Sequence, residues 1–363
     1  MTNQRKRASE TRRGFDPAEA ARHDGRGEAG FSIVEALIST AVLLVVSATV
    51  MRGVLGMTDI STTVSNRTDM HNGVRNATEL LTQEVGQAGR ISLPGTVTLS
   101  AGAVVGATTL DVSSTAAGDE TQGMFVGEIL VLDTGPLQES VEVASVSATS
   151  ITITEALENS HAAGAPVSVL GGFANGVIPS APGVTAGSPG LTNGSTGTVL
   201  KIFGDIHDDG NMVYVEYTCN LDEGRLYRNS MPFDTGAGAK TQPGVEEILI
   251  DNIEANPGGT PCFTYQEETF DGTTYVVGVA ITLTVKTREK DKYSDDYQRE
   301  TKALLNVSPR NVFNVWQMAS LQYYDRIQTT PPTVTALLPE LTSVTGPTGQ
   351  TGPTSPTGQV ADY

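Results

Sequence analysis

Apolar residues fill positions 31–51 almost without a break, and Glu35 is the one charge among them. Roughly 20 such residues are what a helix rising about 1.5 Å per residue needs to cross the hydrocarbon layer of a bilayer. A membrane-spanning helix over 31–51 is therefore predicted. Beyond it the pattern becomes spaced: Met57, Ile60, Val64, Arg67, His71, Val74, Thr78, Leu81, Val85 and Ala88 recur at steps of three and four, with a polar middle. From Phe31 onward proline is absent until Pro94, and Gly89 stands a few residues before it as a stop signal. The spacing predicts one helix over 31–92 whose part from Val74 to Ala88 packs on the protein's own sheet.

From 95 to 170 the period shortens to two. Stretches at 96–99, 108–112, 128–132, 140–143 and 150–154 are rich in Val, Ile, Leu and Thr between Gly, Ser and Asp turns, and predict a small all-β insert. Residues 172–197, rich in Gly, Pro, Ser and Thr, read as a linker. A second group of strands is expected at 199–203, 212–218, 225–228, 246–253, 275–287 and 301–307, forming a β head over 198–311 in which 275–285 is central and 288–296 is a charged hairpin loop. Residues 312–330 hold a short amphipathic helix with Phe313, Val315 and Trp316, and 331–363 read as a flexible tail with three collagen-like triplets, too few to wind a triple helix. The fold class expected is α+β: a long N-terminal helix, half of it transmembrane, packed on an antiparallel β-sheet head with an additional small all-β insert.

Charge sharpens this picture. The 363 residues carry a net charge of −18, which speaks against nucleic acid as a partner, since phosphate binding needs a basic face. The first 30 residues run the other way, with seven basic groups against five acidic ones. A basic leader ahead of the apolar run predicts an N-terminus kept in the cytoplasm and an exported chain after Arg52.

The string Gly30-Phe31-Ser32-Ile33-Val34-Glu35 resembles the processing signal of type IV prepilins: a hydrophilic leader ending in Gly, then Phe, with Glu five places into the mature chain. The helix end at 74–89 and the strings at 205–217, 224–228 and 306–311 resemble minor pilins of the PilW type and type II secretion pseudopilins of the PulJ type. The resemblance implies cleavage of a leader 1–30 between Gly30 and Phe31 by a prepilin peptidase, and methylation of the new Phe31 amine. It implies that Glu35 pairs with a free N-terminal amine, on a neighbouring subunit or on Phe31 itself, during assembly. The partners implied are the peptidase, major and other minor pilins, the inner-membrane assembly platform and the membrane. The implied place is the bacterial inner membrane, single-pass, with the head periplasmic or extracellular, and then the tip of a pilus or pseudopilus. Many pilins bend at a proline after the span; here Gly53 and Gly56 stand in that region.

Other readings remain open. A basic start and an apolar run also make an ordinary secretory signal, with Val46-Ser47-Ala48 as a cleavage site. The competing class is an exported binding or adhesion protein held by the span, using the β insert to grip a ligand; an exported hydrolase has only the export signal behind it. No G-x-S-x-G, phosphate-loop or H-E-x-x-H pattern occurs, so an enzyme and a cofactor are not expected. Asp205, His207, Asp209, Gly210 and Glu216 fall at places of an EF-hand-like loop, making Asp205, Asp209 and Glu216 a calcium candidate beside the simpler reading of a two-strand turn. Cys219 and Cys262 are the only cysteines, and an even pair in an oxidising compartment reads as a disulfide rather than as metal ligands.

Overall fold

The computed structural model describes residues 32–180, 193–236, 247–292 and 294–339, and the chain divides into two units, Met1–Ser61 and Thr62–Tyr363. Among the described residues of the first unit there is helix alone. Helix α1 runs Ile33–Gln87, 55 residues, without interruption at Gly53 or Gly56. Ser32 starts it: its hydroxyl accepts a 3.3 Å hydrogen bond from the Val34 amide and its carbonyl accepts one from Ala36, the arrangement of an N-cap. The leader and the Gly30–Phe31 junction lie outside the described residues.

In the second unit α1 gives its buried stripe to the head. Met70, Val74, Ala77, Leu81, Val85 and Ala88 recur every three or four residues and are buried, each Met, Val or Leu side chain contributing about 1.5–3 kcal/mol on leaving water. They pack against two sheets. The first has the order β11-β10-β9-β8, from β8 (Val199–Gly204), β9 (Val213–Asn220), β10 (Arg225–Pro232) and β11 (Glu247–Asp251). In the second, β14 (Thr273–Lys286) is paired with β12 (Ile253–Glu254), β13 (Phe263–Phe270) and β15 (Arg299–Val307), all antiparallel. The expected single head sheet is thus two. The division falls at Asn252, whose φ of +62° turns the chain out of β11 and into β12, so the stretch read as one strand over 246–253 serves both sheets. A register shift between Gln266 and Glu267 turns β14 about its axis. Val279, Ile281 and Leu283 then face α1, while Tyr275 and Val277 face α2 (Arg310–Ser320) on the other side. The strand expected at 301–307 is β15, and Arg310 already opens α2, so the string 306–311 covers a strand end and a helix start.

The insert closes on itself. Strands β1 (Val97–Leu99), β2 (Thr109–Ser114), β3 (Ile129–Leu132), β4 (Glu139–Val146), β5 (Ser150–Ile153) and β6 (Pro166–Val169) form an antiparallel barrel in the order β1-β2-β5-β4-β3-β6, with β6 paired back to β1. Alternation accounts for its core. Val97 and Leu99, Leu110 and Val112, Leu130 and Leu132, Val141 and Val143, Ile151 and Ile153, and Val167 point inward and are buried. Closure leaves the small sheet no free edge.

Barrel and head meet on aromatic side chains. Phe125 of the barrel joins Phe173, Phe203 and Phe233, with ring centroids 4.6–6.2 Å apart. Here the expected linker departs from a free loop: of its described residues, Phe173 in β7 (Gly172–Phe173), Val177, Ile178 and Ser195 are buried. The segment expected to be tail is packed as well as far as it is described. Strand β16 (Ile327–Gln328) pairs in parallel with β7, and α3 (Pro332–Thr335) brings Val334 and, just after it, Leu337 into the interior. Residues 340–363 lie outside the described residues.

Candidate functional site

Two places carry the sequence-predicted chemistry. The first is the start of α1. Ile33, Leu37, Ile38, Val42, Leu43, Leu44, Val45, Val46, Val50 and Met51 are all exposed. The helix is long and apolar enough to span a membrane. Three of its hydroxyls suit such surroundings, because Ser39, Thr40 and Thr49 donate to the carbonyls of Glu35, Ala36 and Val46 at 2.7 Å and so satisfy their donors within the helix. Glu35 lies in the first turn, where the unpaired amides of the helix end favour a negative charge. Its carboxylate has no ion pair among the described residues.

The second place is the helix end on the head. Glu84 interrupts the buried stripe of α1, three residues after Leu81 and four before Ala88, and is itself buried. Its carboxylate accepts two bonds from Arg228 of β10, with Nη2 at 2.6 Å and Nε at 3.1 Å, and one from the Tyr217 hydroxyl of β9. Arg228 also meets His207 Nε2 at 2.9 Å. Burial first, and then the neighbouring Glu84 carboxylate, raises the Tyr217 hydroxyl far above its ordinary range. For Arg228, burial works against the charge, but its bonds to Glu84 outweigh it and the guanidinium is held above its usual value. This cluster holds helix to sheet, and its signal in the sequence was a charge at an apolar position of the stripe.

The calcium candidate does not assemble. Asp205 spends its oxygens on the chain itself, accepting from the Ser92 hydroxyl at 2.8 Å and from the amides of Asp209 and Gly210 at 3.1 and 3.3 Å. Asp209 accepts from the Asn211 amide, and Glu216, out on β9, from the Tyr214 hydroxyl at 2.7 Å. With φ of +57° at Asp208 and +86° at Gly210, the segment is a turn that feeds β9. Among the described residues no group of three or more His, Cys, Asp or Glu side chains converges in a way that could hold a metal ion.

Cys219 and Cys262 form a disulfide with their Cα atoms 6.5 Å apart. It ties the end of β9 to the approach of β13, and so one head sheet to the other. A further cluster went unread in the sequence. His161 is enclosed at the barrel rim, its ring nitrogens 3.4 Å from Asp133 and 3.3 Å from Glu139. Glu139 also accepts the amides of Glu158 and Asn159, so the group laces loops to strands. Compared with protein-family models, with curated proteins and with solved structures, the chain matches none of them.

Proposed function

We propose that the chain is a minor pilin or pseudopilin: a structural subunit, not an enzyme, that initiates or caps a type IV pilus or a type II secretion pseudopilus. One observation carries the reading. The first part of α1 is uncovered and apolar and holds a single carboxylate, Glu35, four positions after Phe31 in the sequence, and the last part of the same helix is packed on the head. A carboxylate in lipid costs several kcal/mol unless it finds a cation. A free amine at Phe31 on a neighbouring subunit supplies one at matching depth, so the cost becomes a drive toward assembly. Prepilin peptidase, other pilins and the inner-membrane assembly platform are the partners this implies, and the bacterial inner membrane is the site. Mass spectrometry of the protein from its native membrane tests it: the expected N-terminus is methylated Phe31, and a start at Thr49 would overturn it.

A second reading draws on the barrel. A closed, rigid β module joined to the head of a single-span protein suits an anchored extracytoplasmic binding or adhesion protein. An N-terminus still carrying the leader, with the protein retained in the membrane, would favour it.

A further inference from the structure

The turn 125–129 is one of the places where the barrel rests on the head, beside Val169 of β6, which packs on the same aromatic cluster. Phe125 enters the aromatic cluster, 6.0 Å from Phe173 and 5.9 Å from Phe233, with Val334 of α3 in the same apolar group. From the other side Gln328 of β16 pins the turn. Its oxygen accepts the Ile129 amide at 2.9 Å, and its nitrogen donates to the carbonyls of Ile129 at 2.9 Å and Leu170 at 2.8 Å. Thr329 lies over Gly127, where an added Cβ would stand 3.3 Å from the threonine methyl.

Glu128 is enclosed within this turn. It is 0% exposed; Oε2 accepts one 3.3 Å bond from the Phe125 amide, and Oε1 has no partner. An ionised carboxylate has about four lone-pair sites to satisfy, whereas the neutral acid is far cheaper to bury. The charged groups on the surrounding elements are engaged elsewhere or exposed. Asp133 and Glu139 of the β3–β4 hairpin face His161, and Glu142 of β4 is exposed, as are Asp325 and Arg326 before β16. Burial lowers the Lys201 ammonium of β8, and its charged neighbour there is Glu216. Segment 172–178 and α3 carry no charged residue.

We infer that Glu128 is a proton-operated catch at the seam between barrel and head: the seam is closed while Glu128 is the neutral acid, and loss of the proton drives the turn toward water and loosens the barrel's seat. Burial raises its carboxyl from 4.5 to about 8. The seated form therefore binds more protons between those values. Seating is at its strongest below pH 4.5, weakens as pH rises, and levels off once pH passes about 8.

Hydrogen exchange on the full chain in detergent tests this, read at pH 6 and pH 9 and corrected for intrinsic exchange. Peptides covering 125–129, 171–178 and 327–334 should lose protection at pH 9 by more than about tenfold, while peptides of α1 and β14 in the head core hold theirs. Glu128→Gln, a neutral stand-in, should keep the seam protected at both pH values. Glu128→Leu repeats the test without a polar group should the amide disturb the turn. Equal seam protection at both pH values in the wild type would overturn the proposal. So would an unaltered pH response in both variants, or a loss spread evenly over the head.

Discussion

Glu84 and Arg228 form an ion pair across the boundary of helix and sheet, Nη2 to Oε1 at 2.6 Å, with 4% and 12% of their side chains exposed. A pair so enclosed is expensive to assemble and more expensive to break, because removing one member strands the other charge without water. Glu84→Ala should cost about 3–5 kcal/mol, read as a drop in the denaturant midpoint of Trp316 fluorescence, the one tryptophan in the chain. Glu84→Leu combined with Arg228→Met removes both charges and should recover most of that loss. If the double variant is as unstable as the single one, the geometry of the pair is not what matters.

For Glu35 the expectation concerns assembly. Glu35→Ala adds apolar surface to the span, so insertion and leader removal should proceed as in the wild type. Under the proposed pilin role, crosslinked pairs with pilin neighbours, and the number of filaments, should fall. Normal filament counts at normal membrane levels would take Glu35 out of assembly.

The Cys219–Cys262 bond closes a loop of 43 residues, for which loop-closure entropy gives about 4 kcal/mol of stabilisation. Cys219→Ser with Cys262→Ser should lower the denaturant midpoint by that order, and a reductant should do the same to the wild type and nothing to the variant. A reductant effect that survives in the variant would place the cause elsewhere.

At the end of α1, backbones meet with no room for side chains. A Cβ on Gly176 would stand 2.1 Å from the Cα of Gly89, and Gly204, at φ +138°, faces the Arg90 carbonyl. Gly176→Ala should therefore cost more than about 4 kcal/mol, since backbone on both sides would have to give way. Gly86→Ala, on the same helix but with open space where its Cβ would go, should instead stabilise by about 0.5–1 kcal/mol. Opposite signs in thermal melts would confirm the crowding; two losses of similar size would refute it.

How much of this could be read beforehand follows from where periodicity speaks. The stripe from Val74 to Ala88 and the alternating barrel strands stand out because each has one wet and one dry face. Strand β13 was missed: Gln266, Glu267 and Glu268 are all exposed, so no alternation marks it. The join between β11 and β12 hid in a continuous run because the break is a backbone angle at Asn252, which composition does not display. Phe173, Val177 and Ile178 are masked by the glycines around them, although three large apolar residues within six positions are unusual for a free loop. Of the candidate sites, Glu35 and the cysteines were legible as single residues out of place. Glu84, Arg228, Tyr217 and Glu128 gain meaning only from partners, or the lack of them, brought together by the fold.

Val97 at the barrel's entrance pairs with Val167 near its exit. The chain thus leaves the head and returns to it at neighbouring points, and to the folding head the whole barrel amounts to a short loop. The entropy of joining Leu93 to Gly171 is then set by the gap between those strand ends rather than by the length of chain between them. The barrel can be exchanged for another closed module, or for a tight turn, with little change in the speed at which α1 finds its sheets. A chain built in this way can exchange its outer module while the part that docks its helix stays the same.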